Sequence, residues 1–346
     1  MHFGKWRGRK GLGGFIGAFA AALVLLGSAP SQAADKVTVA ALRFVSSGPL
    51  FIAQGRGYFA AEGLEVDFKF FDAAQPVAVA IASGDADFGA TGFTAGLFNI
   101  AGKGVLKVIA AQFSEVKGFE SNALVASSKA HAAGLTEPKA LKGKTFALTQ
   151  TGSTFHYMVG GIAEASGFGI DGVELKPLQT VGNMVGALKS SQVDAAILPS
   201  FIARSLDASG DAKIIAWVGD IAPYQGGGLF TSARNAETRR AIVEKFVRAY
   251  QKGVADYRAF FIDKTASGDE VPGLIHKYVF ADEPAATAFG KIRAGALFIN
   301  KDAQLDGADI AKQVEWYKAR GLVDKSVEAA KFVDTTFVPP LTAVPK

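Results

Sequence analysis

Two short hydroxyl-rich turns, Ser46-Ser47-Gly48 and Thr151-Gly152-Ser153-Thr154, carry the side chains best suited to chemistry. Each stands where a strand-like run gives way to a helix-like one. A helix start presents N–H groups without intrahelical partners and a partial positive charge, which together accept an anion. Two such starts facing one another would hold one anionic group without a fixed counter-charge. Plain capping competes with this role, because Ser and Thr are favoured N-caps whatever else they touch. Thr91-Gly92-Phe93-Thr94 and Pro199-Ser200-Phe201 also follow strands, and Gln112 ends another. Ligands of open α/β sheets lie beyond the carboxyl ends of strands, where Phe93 and Phe201 would form apolar walls or plug a core. Arg43, at a strand end, and His156, in a first helical turn, either reach an anionic ligand or stay solvated or locally paired.

The residues exclude several other chemistries. Asp87 and Asp194 resemble a carboxylate pair, but each precedes an apolar strand of its own, so structural hydrogen bonding is the expectation. His2, His131, His156 and His276 lack metal-ligand spacing. Gly143-Lys144-Thr145 looks like the end of a phosphate-binding loop, yet Pro138 stands where the first glycine belongs and a strand follows rather than precedes it. There is no Gly-x-Ser-x-Gly elbow. Zero cysteines remove disulfides, thiolate metal sites and a cysteine nucleophile. No catalytic residue, metal or cofactor is therefore expected. Gly226-Gly227-Gly228 reads as a flexible connection, and Arg239, Arg240, Lys245 and Arg248 as the solvated face of a helix.

The elements that position these turns repeat. Ala80-Ile81-Ala82-Ser83-Gly84-Asp85-Ala86-Asp87-Phe88-Gly89 returns 107 positions later as Ala187-Leu188-Lys189-Ser190-Ser191-Gln192-Val193-Asp194-Ala195-Ala196. The same offset places Val39-Ala40 on Phe146-Ala147, Val66 on Val173 and Ser46-Ser47 on Ser153-Thr154. A solenoid unit runs to about 20–50 residues, so this longer period predicts two lobes of similar plan with a cleft between them. Strands are expected over 36–42, 64–71, 87–90 and 107–113 in the first lobe, with helices over 50–61, 75–83 and 92–101. The second has strands over 145–149, 172–178, 194–198 and 213–218, with helices over 155–166 and 181–190. Such alternation predicts parallel sheets with helical crossovers. Segments near 124–127 and 226–230 read as strands crossing between lobes. A long helix over 236–261 comes next, then helices near 284–298 and 307–320.

The N-terminus reads as an export signal. Lys5, Arg7, Arg9 and Lys10 precede an apolar run over 15–26 and the small-residue site Ser31-Gln32-Ala33, so cleavage is expected after Ala33. The run is short for a bilayer, which needs about 20 residues. Removing the leader takes four basic and no acidic residues, leaving a net charge of about +1 from the +5 of the full chain. The basic balance thus belongs to the leader and gives no reason to expect nucleic acid as a partner. About 310 residues remain, enough for two domains with substantial cores.

Several motifs together resemble one family. They are Gly48-Pro49-Leu50 through Gly57-Tyr58-Phe59-Ala60-Ala61-Glu62-Gly63-Leu64-Glu65-Val66, Ser83-Gly84-Asp85-Ala86-Asp87-Phe88-Gly89, Leu141-Lys142-Gly143-Lys144, Gly152-Ser153-Thr154 with His156-Tyr157, and Ser191-Gln192-Val193-Asp194-Ala195. The chain resembles the solute-binding proteins of ABC importers, in the nitrate, sulfonate and taurine branch that includes thiamine-precursor binders. The resemblance implies an α/β class, a type II periplasmic-binding-protein fold with two lobes joined by two crossovers. It implies lobe 1 over 34–124, lobe 2 over 125–225, and completion of lobe 1 with C-terminal helices over 226–346. It further implies a monomeric periplasmic protein that closes on a small anionic solute and delivers it to a permease and its ATPase. Ligand-side positions carry over to Ser46, Ser47, Thr91, Gly92, Gln112, Thr151, Gly152, Ser153 and His156. Relatives carry a Trp-Glu-Pro-like stretch where this chain has Leu198-Pro199-Ser200-Phe201, so the ligand itself does not transfer. The alternatives are a lyase- or dehydratase-like enzyme on the same scaffold and a ligand-sensing module for a membrane receptor.

Overall fold

The computed structural model of the protein describes Met1 and residues 33–341; the expected export leader lies outside the described residues. In chain order the strands are β1 (Asp35–Leu42), β2 (Leu64–Phe71), β3 (Phe88–Gly92), β4 (Leu106–Glu115), β5 (Asn122–Ser127), β6 (Thr145–Leu148), β7 (Glu174–Pro177), β8 (Ala195–Pro199), β9 (Ala212–Trp217) and β10 (Tyr224–Ser232). They form two five-stranded sheets, ordered β2-β1-β3-β10-β4 and β7-β6-β8-β5-β9. β1 pairs parallel with β2 and β3, and β6 parallel with β7 and β8. The chain passes to the second sheet between β4 and β5 and returns between β9 and β10. β5 and β10, the strands after each crossing, run antiparallel to the neighbours on either side of them.

The 107-residue repeat is a repeat of register. Thr38 faces Asp67 in the first sheet as Thr145 faces Glu174 in the second, and Val39 faces Phe88 as Phe146 faces Ala195. The two aspartates of the repeat hold that register from the side. Asp87 Oδ2 accepts from the Thr38 backbone N–H at 2.9 Å, and Asp194 Oδ2 accepts from the Thr145 N–H at 2.9 Å. Asp194 also accepts from the Thr145 hydroxyl at 2.9 Å, whereas Asp87 pairs with Arg239 at 2.6 Å.

Burial follows the period-2 and period-3.6 patterns of the sequence, with one difference at each long helix. The helix expected over 50–61 is two, Gly48–Gly55 and Tyr58–Ala61, because Gly57 adopts φ 72° between them. That left-handed conformation ends a helix and suits glycine. The helix expected over 236–261 divides into Ala233–Thr238 and Arg240–Phe261 at Arg239, whose φ of −123° leaves the helical region where its guanidinium meets Asp87. The longer helix lies on the first sheet, with Phe246 stacked on Phe88 at 3.8 Å between ring centroids. One apolar cluster joins β1–β4, β10 and the segments after residue 240; two further clusters cover the faces of the second sheet.

Gly226-Gly227-Gly228 is a correction to the sequence reading. The three glycines are buried inside β10 and connect nothing. A Cβ on Gly226 would stand 2.1 Å from the Phe113 ring, and one on Gly228 would stand 2.8 Å from the Phe93 ring. They are glycine because two aromatic rings lie flat over that strand.

Replacing Asp194 with alanine should lower unfolding free energy by about 2–3 kcal/mol, since it strips an acceptor from a backbone N–H and a hydroxyl at once. Urea denaturation monitored by circular dichroism reads this directly. A change below about 0.5 kcal/mol, the range of neutral surface substitutions, would refute the structural role given to this carboxylate.

Candidate functional site

The carboxyl ends of the strands face a cavity between the two sheets. Together with its open mouth it encloses about 800 Å³. Leu42, Thr91, Gly92 and Phe113 reach it from the first sheet, and Asn122, Thr149 and Pro199 from the second. Its walls are mainly apolar: Phe44 and Val45 on one side, Phe155, Met158 and Val181 on the other, with Phe201 and Leu297. Its polar groups are Ser46, Asp72, Thr91, Asn122, Thr149, Ser153 and Thr154. Among the described lining residues, Asp72 is the single ionisable side chain, so an anion here would be met by neutral donors.

Those donors are set by local structure. The helix Thr154–Ala165 begins at the cavity, and Ser153 is its N-cap, its Oγ accepting from the His156 N–H at 3.4 Å. That bond uses a lone pair of Ser153 and leaves its O–H free to donate into the cavity. The N–H groups of Thr154 and Phe155, first in the helix, have no acceptor within it. Thr154 is different: its hydroxyl donates across the cleft to the Phe93 carbonyl at 2.9 Å. Its proton is committed to the opposite lobe, so toward a ligand this side chain offers only lone pairs.

The lobes meet directly beside the cavity. The Ala95 N–H donates to the Gly152 carbonyl at 2.9 Å, and Tyr317 Oη to the Ser153 carbonyl at 2.9 Å. Ser200 Oγ donates to the Ala294 carbonyl at 2.5 Å, and Phe201 packs edge-on against Phe280. A Cβ on Gly92 would lie 2.5 Å from the Thr154 hydroxyl, and one on Gly152 would lie 2.9 Å from Ala95 Cβ. These two glycines permit the approach, and Gly152 also adopts φ 80°.

Several buried polar atoms near the cavity have no protein partner: Ser47 Oγ, Thr91 Oγ1 and Gln112 Oε1. Thr91 and Gln112 lie on β3 and β4, which flank Gly227 and Gly228 of β10. An unpaired buried acceptor or hydroxyl costs about 1–3 kcal/mol, so three of them at one sheet end mark a place where a further polar group belongs.

Of the expected site residues, Ser46, Thr91, Gly92, Ser153, Thr154 and Phe201 line the cavity. Ser47 and Gln112 are buried close behind it. The remainder do other work. Arg43 projects outward over the Phe70 ring at 3.9 Å and donates to the Tyr278 carbonyl. Phe93 is a core plug against Phe98. Thr94 caps the helix Ala95–Gly102, accepting from the Leu97 N–H at 3.0 Å. Thr151 is exposed. His156 is buried behind its turn: Nδ1 accepts from the Gly152 N–H at 3.0 Å, and the ring stands edge-on to Trp316. Sequence reasoning missed Asp72, Asn122 and Thr149, which belong to no motif and reach the cavity because of where their strands end.

Burial, aided by the charge of Arg320, pushes the His156 imidazole down to about 4. The unfolded ring titrates near 6.5, so between those values the unfolded chain binds a proton that the native one does not. Stability from this group is present above about pH 6.5 and is lost as pH falls toward 4. Equilibrium unfolding from pH 7 to 4 should therefore show a loss that His156→Asn reduces, Asn keeping an acceptor for the Gly152 turn. Equal acid sensitivity in both proteins would count against a neutral buried imidazole.

Comparison with known proteins fits this geometry. A comparison with curated sequences finds no match. Among solved structures, the chain is similar to the alkanesulfonate-binding protein SsuA from Xanthomonas axonopodis pv. citri bound to MOPS, at 18% identity and a TM-score of 0.69, covering 88% of this chain and 100% of that one. It is similar to the periplasmic aliphatic sulphonate binding protein SsuA from Escherichia coli at 14% identity and a TM-score of 0.68, covering 90% and 94%. The desulfurization enzyme DSZB, in complex with biphenyl-2-sulfinic acid, also shares the fold, at 14% identity and a TM-score of 0.56, covering 88% and 97%. The two lobes are those of the periplasmic-binding-protein fold. The NMT1/THI5-like family model matches residues 45–259, and the chain is a member of that family.

Proposed function

We propose that this protein is the solute-binding component of an ABC importer, exported to the periplasm, that closes on a small organic acid and presents it to a membrane permease. The observation that carries this reading is the set of partnerless buried groups, Ser47 Oγ, Thr91 Oγ1 and Gln112 Oε1, at the edge of an apolar cavity between two lobes. Hydroxyls, helix-start N–H groups and the Asn122 amide would take the acidic head. The aromatic and aliphatic walls favour a solute with an apolar body over a bare inorganic ion such as nitrate, which would leave them wet. Sulfonates and carboxylates with such a body are the class proposed. Binding favours the closed form only as far as the solute contacts both lobes better than one.

The enzyme alternative has the fold-sharing DSZB in its favour. Against it, the chain has no cysteine, and its cavity lining offers Asp72 as the single ionisable group among the described residues. Acid–base chemistry needs at least one group poised to give or take a proton at the reacting atom.

A thermal-shift screen of alkyl and aryl sulfonates, carboxylates and nitrate should find a stabilising organic acid and little response to nitrate. Thr91→Val then tests the site. It replaces an unpartnered buried hydroxyl with a methyl, so folding stability should hold or rise while affinity for the hit falls about tenfold or more. Calorimetry with unchanged affinity would remove Thr91 from the site, and turnover of the bound acid would favour the enzyme.

A further inference from the structure

A second cavity lies where both crossings between the lobes come together, enclosing about 790 Å³ with its mouth. Glu115, which ends β4, and Tyr224, which begins β10, face each other in register on its wall. Asp306, Asp309 and Lys312, at the start of the helix Gly307–Ala319, close another side, with Asn300 and Gln225. Glu115 is 1% exposed. Its Oε1 accepts from Asn122 Nδ2 at 2.5 Å, while Oε2 has no partner. Tyr224 Oη, on a side chain 7% exposed, has none either.

The chemistry of this wall is one-sided. It presents three carboxyl groups against one ammonium, that of Lys312, and its amides point their oxygens at protein donors: Gln225 Oε1 accepts from the Asp306 N–H and Asn300 Oδ1 from the Ser114 hydroxyl. Burial pushes the Glu115 carboxyl up to about 8, and burial raises Asp309 as well, against the bonds it accepts from Gln225 and Gln313. The other titratable groups around Glu115 are the hydroxyls of Tyr224, Tyr157 and Tyr317, none of which carries positive charge. A buried carboxyl so placed stays neutral unless a cation arrives. Among the described residues no three acidic, histidine or cysteine side chains stand close enough to chelate a metal ion. A donor-rich organic cation suits dispersed acceptors better, because each N–H can seek its own.

We propose that this hinge cavity binds a primary ammonium group, held by the Glu115 carboxylate and the Tyr224 hydroxyl with Asp309 as a further acceptor, separately from the cleft. On binding, the carboxylic acid of Glu115 releases its proton to solvent and the carboxylate pairs with the ammonium. Asn122, which touches Glu115 here and lines the cleft cavity on its other side, joins the two sites through one side chain.

Methylammonium is the probe, with tetramethylammonium and sodium chloride at equal ionic strength as controls, in calorimetry on the full chain. Methylammonium should bind weakly, with Kd on the order of 10 mM for so small a ligand. Affinity should rise about tenfold from pH 7 to pH 9 as Glu115 ionises beforehand. Tetramethylammonium, which lacks N–H donors, should not bind. Glu115→Gln is isosteric with the neutral acid and keeps an acceptor for Asn122, so it should fold normally and lose the binding. Tyr224→Phe should weaken it several-fold. Methylammonium behaving like the control salts, or binding Glu115→Gln as well as the parent chain, would overturn the proposal.

Discussion

The structure rests on one small interaction made twice: a carboxylate accepting the backbone N–H at the start of the central strand beside it. Asp87 does this to Thr38 and Asp194 to Thr145. A parallel pair has no tight turn to set its register, because a long crossover joins its strands. A one-residue slip would turn every buried side chain outward. The carboxylate fixes the slip at zero from outside the ladder. Both sheets therefore end at the same level, and their carboxyl ends bring Thr91 and Ser153 to one cavity.

Close approach governs the cleft that results. The lobes come within hydrogen-bond distance because Gly92 and Gly152 have no side chain at the point of contact. Phe113 and Phe93 lie over β10 because three successive glycines leave that strand bare. These absences make room for an apolar lining and for a few polar atoms left without partners. Elsewhere the core is paired in the ordinary way, with Asp306 and Thr94 capping helices and Tyr250 and Tyr257 donating to carbonyls. The exceptions cluster at the cleft and at the hinge cavity, where Glu115 and Tyr224 stand.

Much of the fold was legible because it is periodic. Strand β2 spans the residues expected of it, and the helices over 75–83 and 181–190 differ by one residue at an end. The misses came where tertiary contact outweighed local pattern. Arg239 breaks a helix that propensity alone would continue, since its guanidinium is drawn to Asp87. Gly226-Gly227-Gly228 has the composition of a loop, yet it is strand because aromatic rings need the space. His156 carries a ligand-like side chain beside a ligand-like turn. Only the bond from the Gly152 N–H to its Nδ1 shows that it braces the turn from behind.

The sequence by itself determined the duplication, the α/β alternation and the membership of a family, because these depend on period and on motifs read along the chain. It also assigned Asp87 and Asp194 to architecture, since a repeat that gives each lobe its own carboxylate leaves no pair. Tertiary structure alone decided which hydroxyls remain available. Ser153 keeps its proton for the cavity and Thr154 spends its own on Phe93, a difference between adjacent residues of like type. The reason is physical: a hydroxyl's role depends on the nearest acceptor in space, and for Thr154 that acceptor lies 61 residues away in the other lobe.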